Sequence, residues 1–176
     1  VVKPTIKGLK DENIPFKGFV FIGIMNVGGN PYVIEYNVRM GDPETQVVLP
    51  RIKNDLVELL ASAARGDLHG KKIEVDPNPS VAVVLVSGGY PDEYQKGNTI
   101  RGLESKNDSF VFHAGTKKQN ESIVTDGGRV LAVTAKGQNL HEAREQAYAG
   151  VSAIDWDGLY FRKDIGLDLL KLTEEK

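Results

Sequence analysis

The sequence contains no cysteine, no long hydrophobic run and no excess of one charge. Without cysteine the chain can form neither a disulfide nor a thiolate metal site, a composition typical of a reducing compartment, so we expect a cytoplasmic protein. The longest apolar run, 81–86, is far shorter than the roughly 20 residues of a membrane-spanning helix. Twenty-two basic and 24 acidic residues leave a net charge of −2, so we expect neither nucleic acid nor a membrane as partner.

The composition that remains is that of an ordinary globular protein. The 176 residues are 40 % hydrophobic and 26 % charged, enough for one sizeable core or two small subdomains. The chain opens on Val1-Val2-Lys3-Pro4, which is typical of the interior of a domain. We therefore expect a fragment or a processed piece of a longer protein.

The amino-terminal part predicts two strands and a helix. Residues 17–25 and 31–40 are rich in β-branched and aromatic side chains, and the turn residues between them predict an antiparallel hairpin. Residues 55–68 carry leucines and alanine at helical spacing, which predicts an amphipathic helix.

A polar stretch with glycine and proline separates this part from the rest. It predicts a domain organisation of 1–68, a linker at 69–80, and a second domain at 81–176. Short strands are predicted at 81–87, 109–114, 122–125 and 129–134, the last two joined by an Asp126-Gly127-Gly128 hairpin turn. A helix with an Asn139 cap follows. The predicted fold class is α+β.

The second strand carries the most informative side chains. Alternation places Glu35, Asn37 and Arg39 on the face opposite the apolar residues. Glu35 and Asn37 are hard oxygen donors with Cα atoms roughly 6.5–7 Å apart, a pair that suits Mg²⁺ shared with nucleotide phosphates better than zinc. The fork of Arg39 suits a phosphate or a carboxylate.

The strand leads into a Gly41-Asp42-Pro43-Glu44 loop. Gly41 permits close backbone approach to a ligand, and Pro43 makes the loop rigid. Asp42 and Glu44 could bind an amine or ribose hydroxyls, or orient Arg39. A polar strand face followed by such a turn is also common in proteins without catalytic function, so spacing alone does not identify an enzyme.

The segment VIEYNVRMGDPETQVVLPRIKNDL, residues 33–56, resembles the signature region of the phosphoribosylamine-glycine ligase (glycinamide ribonucleotide synthetase) family of the ATP-grasp superfamily. The resemblance extends over nearly the whole chain. It includes GFVFIGIM, SGGYPDEYQKG, VFHAGT, GGRVLAVTAKG and DGLYFRKDIG. Met40 departs from the pattern, which usually has an aromatic residue there.

The resemblance implies both a fold and a reaction. The fold would be the carboxy-terminal end of an ATP-grasp domain, with antiparallel strands and a helix, followed by a small mixed β-sheet and helix domain. The reaction would join glycine to 5-phosphoribosylamine at the expense of ATP. Glycyl phosphate would be the intermediate, and glycinamide ribonucleotide, ADP and phosphate the products, in de novo purine biosynthesis.

The resemblance also implies residue roles. Glu35 and Asn37 match the family's ligands for Mg²⁺ or Mn²⁺. Arg39 and Asp42 match catalytic positions, and the substrate-binding positions are Arg39, Gly41, Asp42, Pro43 and Glu44.

Two alternatives and one restriction accompany this interpretation. The family's amino-terminal domain and its lysine-bearing nucleotide clamp precede the segment that this chain resembles, so we expect the chain alone to be inactive. Another ATP-grasp carboxylate-amine ligase would keep Glu35 and Asn37, although the Gly-Asp-Pro-Glu loop argues against it. A non-catalytic binding module would leave the polar strand face merely solvated.

Overall fold

A computed structural model of the chain describes residues 1–105 and 108–174. It has two compact units, one comprising Val1–Thr45 and Ile52–Glu74, the other Gln46–Arg51 and Val75–Lys176. The chain therefore leaves the first unit after Thr45, returns to it at Ile52, and leaves again after Glu74. No helix in the described ranges is both long enough and apolar enough to cross a membrane.

The first unit contains helix α1 (Val2–Asp11) and an antiparallel pair of strands, β1 (Phe21–Val27) and β2 (Asn30–Asn37). Gly28 and Gly29 form the turn with φ of 59° and 86°, the positive values that a two-residue hairpin requires. The Asn26 side chain accepts a hydrogen bond from the Gly29 amide at 3.0 Å. The predicted hairpin is confirmed.

Strand β2 ends three residues earlier than the predicted 31–40. Its last residue, Asn37, pairs with Phe21, the first residue of β1. Before Phe21 the backbone leaves the extended conformation, since Gly18 has φ of 144°. Residues 38–40 consequently have no partner in β1, and the predicted alternation of faces stops at Asn37.

Two helices follow the hairpin in sequence. Helix α2 (Glu44–Val48) runs into a 3-10 turn (Leu49–Arg51), and helix α3 spans Leu56–Arg65. The Asp55 side chain caps α3 by accepting from the Glu58 amide at 2.9 Å, and Gly66 ends it in the left-handed conformation. The helix predicted at 55–68 is confirmed with a shorter carboxy-terminal end.

The first unit buries very little of its apolar surface. Only Gly41 and Ser62 are buried in it. The predicted apolar face of the second strand is exposed, with Ile34 at 63 % and Tyr36 at 54 %, and Val38 beyond the strand end at 74 %. Residues 1–45 and 52–74 thus have no hydrophobic core of their own, and many of their apolar side chains are exposed.

The second unit is built on an antiparallel sheet with strand order β4-β7-β3-β8. These strands, with the separate β5–β6 hairpin, span Ser80–Ser87 (β3), Phe110–His113 (β4), Thr116–Gln119 (β5), Ser122–Thr125 (β6), Arg129–Lys136 (β7) and Leu159–Tyr160 (β8). The sequence patterns predicted β3, β4, β6 and β7 and missed β5 and β8.

Helix α4 (Leu140–Ser152) packs on β3 and β7, and helix α5 (Leu167–Glu174) follows β8. The predicted cap is confirmed, because the Asn139 side chain accepts from the Glu142 amide at 2.9 Å. Gly150 lets the helix approach the sheet: an added Cβ would lie 2.8 Å from Val133 Cγ1. The core joins strand and helix residues: Val81, Val83, Leu85, Leu131, Val133, Ala143, Ala147, Val151 and Trp156. The predicted α+β class is confirmed.

The prediction of a hairpin at Asp126-Gly127-Gly128 is wrong. Strand β6 pairs with β5, while β7 pairs with β3 and β4, so the two strands flanking the turn are not partners. Another backbone segment occupies that place instead. The Gly115 amide donates to Arg129 O at 2.9 Å, and the Asp126 amide donates to Gly115 O at 2.7 Å. The backbones of Gly115 and Gly127 approach closely. A Cβ on Gly115 would lie only 2.6 Å from Gly127 Cα, so no larger residue fits at position 115.

Candidate metal and substrate site

Glu35 and Asn37 lie on one face of the hairpin, as predicted. Their partners across the ladder are Gly23 and Phe21, and the register is regular between the two pairs. The one irregularity of the hairpin falls between Gly23 and Ile24, which is outside this stretch. Side chains two residues apart in a regular strand point to the same side, so the two oxygen donors share a face.

Gly23 provides space for the Glu35 side chain. A Cβ added at Gly23 would lie 3.1 Å from Glu35 Cγ, closer than side-chain carbons normally approach. The Glu35 carboxylate itself is exposed. The sequence patterns missed this role of Gly23, although a glycine inside a strand pattern is a known signal of close approach.

Asn37 combines partial burial with unused hydrogen-bonding capacity. Its side-chain nitrogen is buried, and in residues 1–105 and 108–174 it has no hydrogen-bond partner. Buried amide groups are normally paired, and leaving one unpaired costs about 1–3 kcal/mol. Within the described part of the chain this nitrogen is unsatisfied, and the oxygen of the same amide is the atom that could bind a cation.

Arg39 lies outside strand β2, so the prediction that it belongs to the strand with Glu35 and Asn37 is wrong. It lies in a bend two residues beyond the end of β2, where no neighbouring strand maintains the alternation. Its exposed guanidinium donates to Met40 O at 3.1 Å. This bond uses one of the five guanidinium N–H donors, and the others remain available to a phosphate or a carboxylate.

The loop after Arg39 is held in a compact turn by its own backbone. The Thr45 amide and hydroxyl both donate to Gly41 O, at 3.0 and 2.5 Å. Gly41 is buried, whereas Asp42 is exposed and Pro43 half-buried. The Asp42–Pro43 peptide is cis.

The Glu44 carboxylate folds back over Gly41. A Cβ at Gly41 would overlap Glu44 Oε2 and would lie 2.8 Å from Glu44 Cδ and 3.2 Å from the Phe21 ring. Phe21 is also the partner of Asn37 in the ladder, so the Gly41–Glu44 turn lies at the same end of the hairpin as Asn37. Gly41 and Glu44 therefore lie at the Phe21–Asn37 end of the hairpin, and Glu35 lies two residues before Asn37 on the same face.

The donor set fits a metal that is shared with phosphate. In the described ranges 1–105 and 108–174, no group of three or more His, Cys, Asp or Glu side chains could hold a metal ion. One carboxylate and one amide oxygen are too few for a closed protein site. Mg²⁺ usually takes one or two protein ligands and completes its shell with phosphate oxygens and water, so Glu35 and Asn37 match that pattern.

Comparison with known proteins identifies the family of the chain. Residues 1–45 match the model of the phosphoribosylglycinamide synthetase ATP-grasp (A) domain, and residues 80–168 match that of the phosphoribosylglycinamide synthetase C domain. The phosphoribosylamine–glycine ligase of Escherichia coli O157:H7 is 48 % identical over 170 residues, which cover 94 % of this chain and 40 % of that protein. The corresponding ligase of Caldanaerobacter subterraneus is 44 % identical over 165 residues, with the same coverage.

Solved structures show the same relationship. The crystal structure of phosphoribosylamine–glycine ligase from Thermotoga maritima aligns with a TM-score of 0.80 at 37 % identity, over 92 % of this chain and 40 % of that one. The biotin carboxylase domain of a thermophilic 2-oxoglutarate carboxylase shares the fold alone, with a TM-score of 0.64 at 15 % identity, over 91 % of this chain and 39 % of that one.

The hairpin with its polar face and Gly-Asp-Pro-Glu turn is thus part of an ATP-grasp domain, and an α+β carboxy-terminal domain follows it in sequence. The chain belongs to the phosphoribosylglycinamide synthetase family. It spans about 40 % of the length of the curated relatives it matches.

Proposed function

We propose that this chain works as part of a phosphoribosylamine–glycine ligase, an ATP-dependent enzyme that joins glycine to 5-phosphoribosylamine in purine biosynthesis. The observation that carries the proposal is the Glu35 and Asn37 pair beside the Gly41–Glu44 turn, in a chain 48 % identical to a ligase of that name. The term intact protein denotes this chain joined to the additional segments that its relatives carry.

The exposed apolar surface of the first unit supports a role within a longer protein. That unit has only Gly41 and Ser62 buried, so most of its apolar side chains need another surface to cover them. The part of each relative that this chain matches is 40 % of the relative's length, so the relatives contain long segments outside the match. We expect the 176-residue chain alone to show no glycine-dependent ATP turnover.

Two chain residues would hold the metal ion. Glu35 would contribute a carboxylate oxygen and Asn37 its amide oxygen, and the ATP phosphates would supply further ligands to Mg²⁺ or Mn²⁺. When bound, the ion would neutralise charge that develops on the phosphates during phosphoryl transfer. Gly23 keeps the space in which the Glu35 side chain reaches the common face.

The turn would bind the substrates. Asp42 is exposed and the Glu44 carboxylate folds over Gly41, so both carboxylates lie where they could orient an amine or ribose hydroxyls. The attacking amine must be held in line with the acyl carbon, and carboxylates carried on a compact turn would contribute to that orientation. Arg39 would pair with phosphate or carboxylate through guanidinium N–H groups other than the one that donates to Met40 O.

For the domain organisation, we propose that residues 1–68 end an ATP-grasp domain, 69–80 form a linker, and 81–176 form the carboxy-terminal domain. The two family-model matches at 1–45 and 80–168 support this division. We propose the cytoplasm as its compartment, because the chain has no cysteine and its relatives are metabolic ligases.

An isotope experiment on the intact protein tests the reaction. Glycine labelled with ¹⁸O in its carboxylate is incubated with ATP and Mg²⁺, and phosphoribosylamine is generated from ribose 5-phosphate and ammonia. If a carboxylate oxygen attacks the γ-phosphate and the amine then displaces phosphate from the acyl carbon, one ¹⁸O leaves with inorganic phosphate. We expect labelled phosphate and glycinamide ribonucleotide in equal amounts.

Omission controls separate the alternatives. ATP turnover that requires an amine other than phosphoribosylamine would identify a different carboxylate-amine ligase. Absence of turnover with every substrate present would leave a non-catalytic binding module. Unlabelled phosphate with product formed would rule out the acyl phosphate route.

A further inference from the structure

The substrate turn, Gly41–Thr45, is built around the buried Gly41. Gly41 is the only buried residue among positions 1–45. A Cβ added to it would lie 2.8 Å from Glu44 Cδ and 3.2 Å from the Phe21 ring. Its carbonyl oxygen accepts two hydrogen bonds from Thr45, one from the amide at 3.0 Å and one from the hydroxyl at 2.5 Å. All of these residues belong to the first unit, so the arrangement is internal to that unit.

The Thr45 hydroxyl closes the substrate turn a second time. Any residue except proline can donate the amide bond, but the side-chain bond requires a hydroxyl. Thr45 is half-buried, so this bond is partly protected from competing water. A hydroxyl that donates to the carbonyl four residues earlier adds little stability to a helix and tends to bend its backbone. The Thr45 hydroxyl is therefore better suited to shaping the turn than to stabilising it.

The two carboxylates of the turn lie between the residues that this bond joins. Asp42 directly follows Gly41, and Glu44 directly precedes Thr45. When the hydroxyl binds Gly41 O, the backbone positions of both acidic residues are restricted. The Glu44 side chain also folds back over Gly41, so a shift of Gly41 would displace its carboxylate. One hydroxyl thus acts on both groups that would orient the substrate amine.

We propose that Thr45 is a positioning residue for the substrate turn. Its hydroxyl holds Gly41 O, and thereby keeps the Asp42 and Glu44 carboxylates where they orient the attacking amine. Thr45 itself does not touch the substrate. The inference rests on the proposed function for its catalytic consequence, but its structural part can be measured without activity.

The test compares two threonines with the same hydrogen-bond pattern in the intact protein. Thr45→Val removes the hydroxyl with almost no change of shape, and Thr45→Ser keeps it. Thr5→Val is the matched control, because the Thr5 amide and hydroxyl donate to Val1 O at 3.2 and 3.0 Å, also within the first unit. Thr5 is half-buried like Thr45.

Three quantities are measured for each variant. They are kcat and KM for phosphoribosylamine, Mn²⁺ affinity with a non-hydrolysable ATP analogue, and hydrogen exchange of the amides of 42–45 by mass spectrometry. Mn²⁺ affinity distinguishes an effect on the turn from a disturbance of the whole hairpin, because the proposed metal ligands Glu35 and Asn37 lie on strand β2.

We expect Thr45→Val to accelerate exchange in 42–45 and to raise the KM for phosphoribosylamine about tenfold, less than the roughly 100-fold that a 1 Å misplacement can cost. The kcat should change by less than about twofold, because groups that bind the amine equally before and during the reaction affect KM alone. Mn²⁺ affinity should be unchanged. Thr45→Ser should restore KM and exchange, and Thr5→Val should alter none of the three quantities.

Three results would overturn the positioning role. KM and exchange in Thr45→Val that match the Thr5→Val control would show that the hydroxyl does not hold the turn. An equal rise of KM in Thr45→Ser would assign the effect to lost packing of the methyl group. A parallel fall in Mn²⁺ affinity in Thr45→Val would show a general disturbance of the hairpin.

Failure of the proposed function would look different. The unsubstituted intact protein would then show no ligase activity with glycine and phosphoribosylamine. The exchange data for Thr45→Val, Thr45→Ser and Thr5→Val would still decide whether the hydroxyl holds the turn.

Discussion

The close approach of Gly41 to Glu44 makes Gly41→Ala the most informative single substitution. The new Cβ would lie 2.8 Å from Glu44 Cδ, whereas carbon atoms in contact need about 3.5–4.0 Å. The carboxylate must therefore move by about 1 Å. Glu44 is exposed and its side chain is flexible, so this movement itself should cost little stability.

The catalytic effect should be much larger than the effect on stability. Misplacing a substrate-binding group by about 1 Å can cost up to about 100-fold in rate. We expect kcat/KM for phosphoribosylamine in the intact protein to fall between about 10- and 100-fold, which corresponds to about 1.4–2.7 kcal/mol. The free energy of unfolding, from urea titration, should change by less than about 1 kcal/mol.

A control and a double variant complete this test. Gly8 has no atom within 4 Å of an added Cβ and lies inside α1, so Gly8→Ala should leave kcat/KM unchanged. If the effect of Gly41→Ala acts through Glu44, the substitution should cost nothing further in a Glu44→Ala background. Unchanged kcat/KM in Gly41→Ala, or an equal loss in both backgrounds, would refute the reasoning.

Three further predictions concern Gly23, Asn139 and the strands of the two units. Gly23→Ala places a Cβ 3.1 Å from Glu35 Cγ, so about three- to tenfold more Mg²⁺ should be needed for half-maximal ligation in the intact protein; an unchanged Mg²⁺ curve would contradict this. Asn139→Ala removes the cap of α4 and should lower the free energy of unfolding by about 1 kcal/mol in urea, without altering the Mg²⁺ curve. In the 176-residue chain, amides of β3 and β7 should exchange far more slowly than those of β1 and β2, because only the former lie over a buried core; equal rates would be the contrary result.

The hairpin, helix α4 and the common face of Glu35 and Asn37 could be predicted because each depends on residues that are close together in sequence. The Gly28–Gly29 turn needs positive φ, and glycine there predicts the hairpin without knowledge of the rest of the chain. The Asn139 cap and the spacing of Ala143 and Ala147 likewise predict α4. Glu35 and Asn37 share a face because strand geometry alone fixes the direction of residues two apart.

The errors arise where a distant segment decides the outcome. Strand β2 ends two residues before Arg39 because its partner β1 begins at Phe21, and nothing near Arg39 in sequence encodes that limit. Asp126-Gly127-Gly128 has the composition of a hairpin turn, but Gly115 occupies the place beside it. The role of Gly23 likewise depends on which residue of β2 lies opposite.

The measurement that tests the central claim most directly is Mn²⁺ binding by the intact protein in the presence of a non-hydrolysable ATP analogue, followed by electron paramagnetic resonance. Glu35 and Asn37 face one side of the hairpin, and the buried amide nitrogen of Asn37 has no hydrogen-bond partner among the residues that the structure describes. We predict that Glu35→Ala and Asn37→Ala each weaken Mn²⁺ binding by at least about tenfold while the thermal unfolding curve is unchanged. Mn²⁺ affinity equal to that of the unsubstituted protein in both variants would contradict the assignment of these residues as metal ligands.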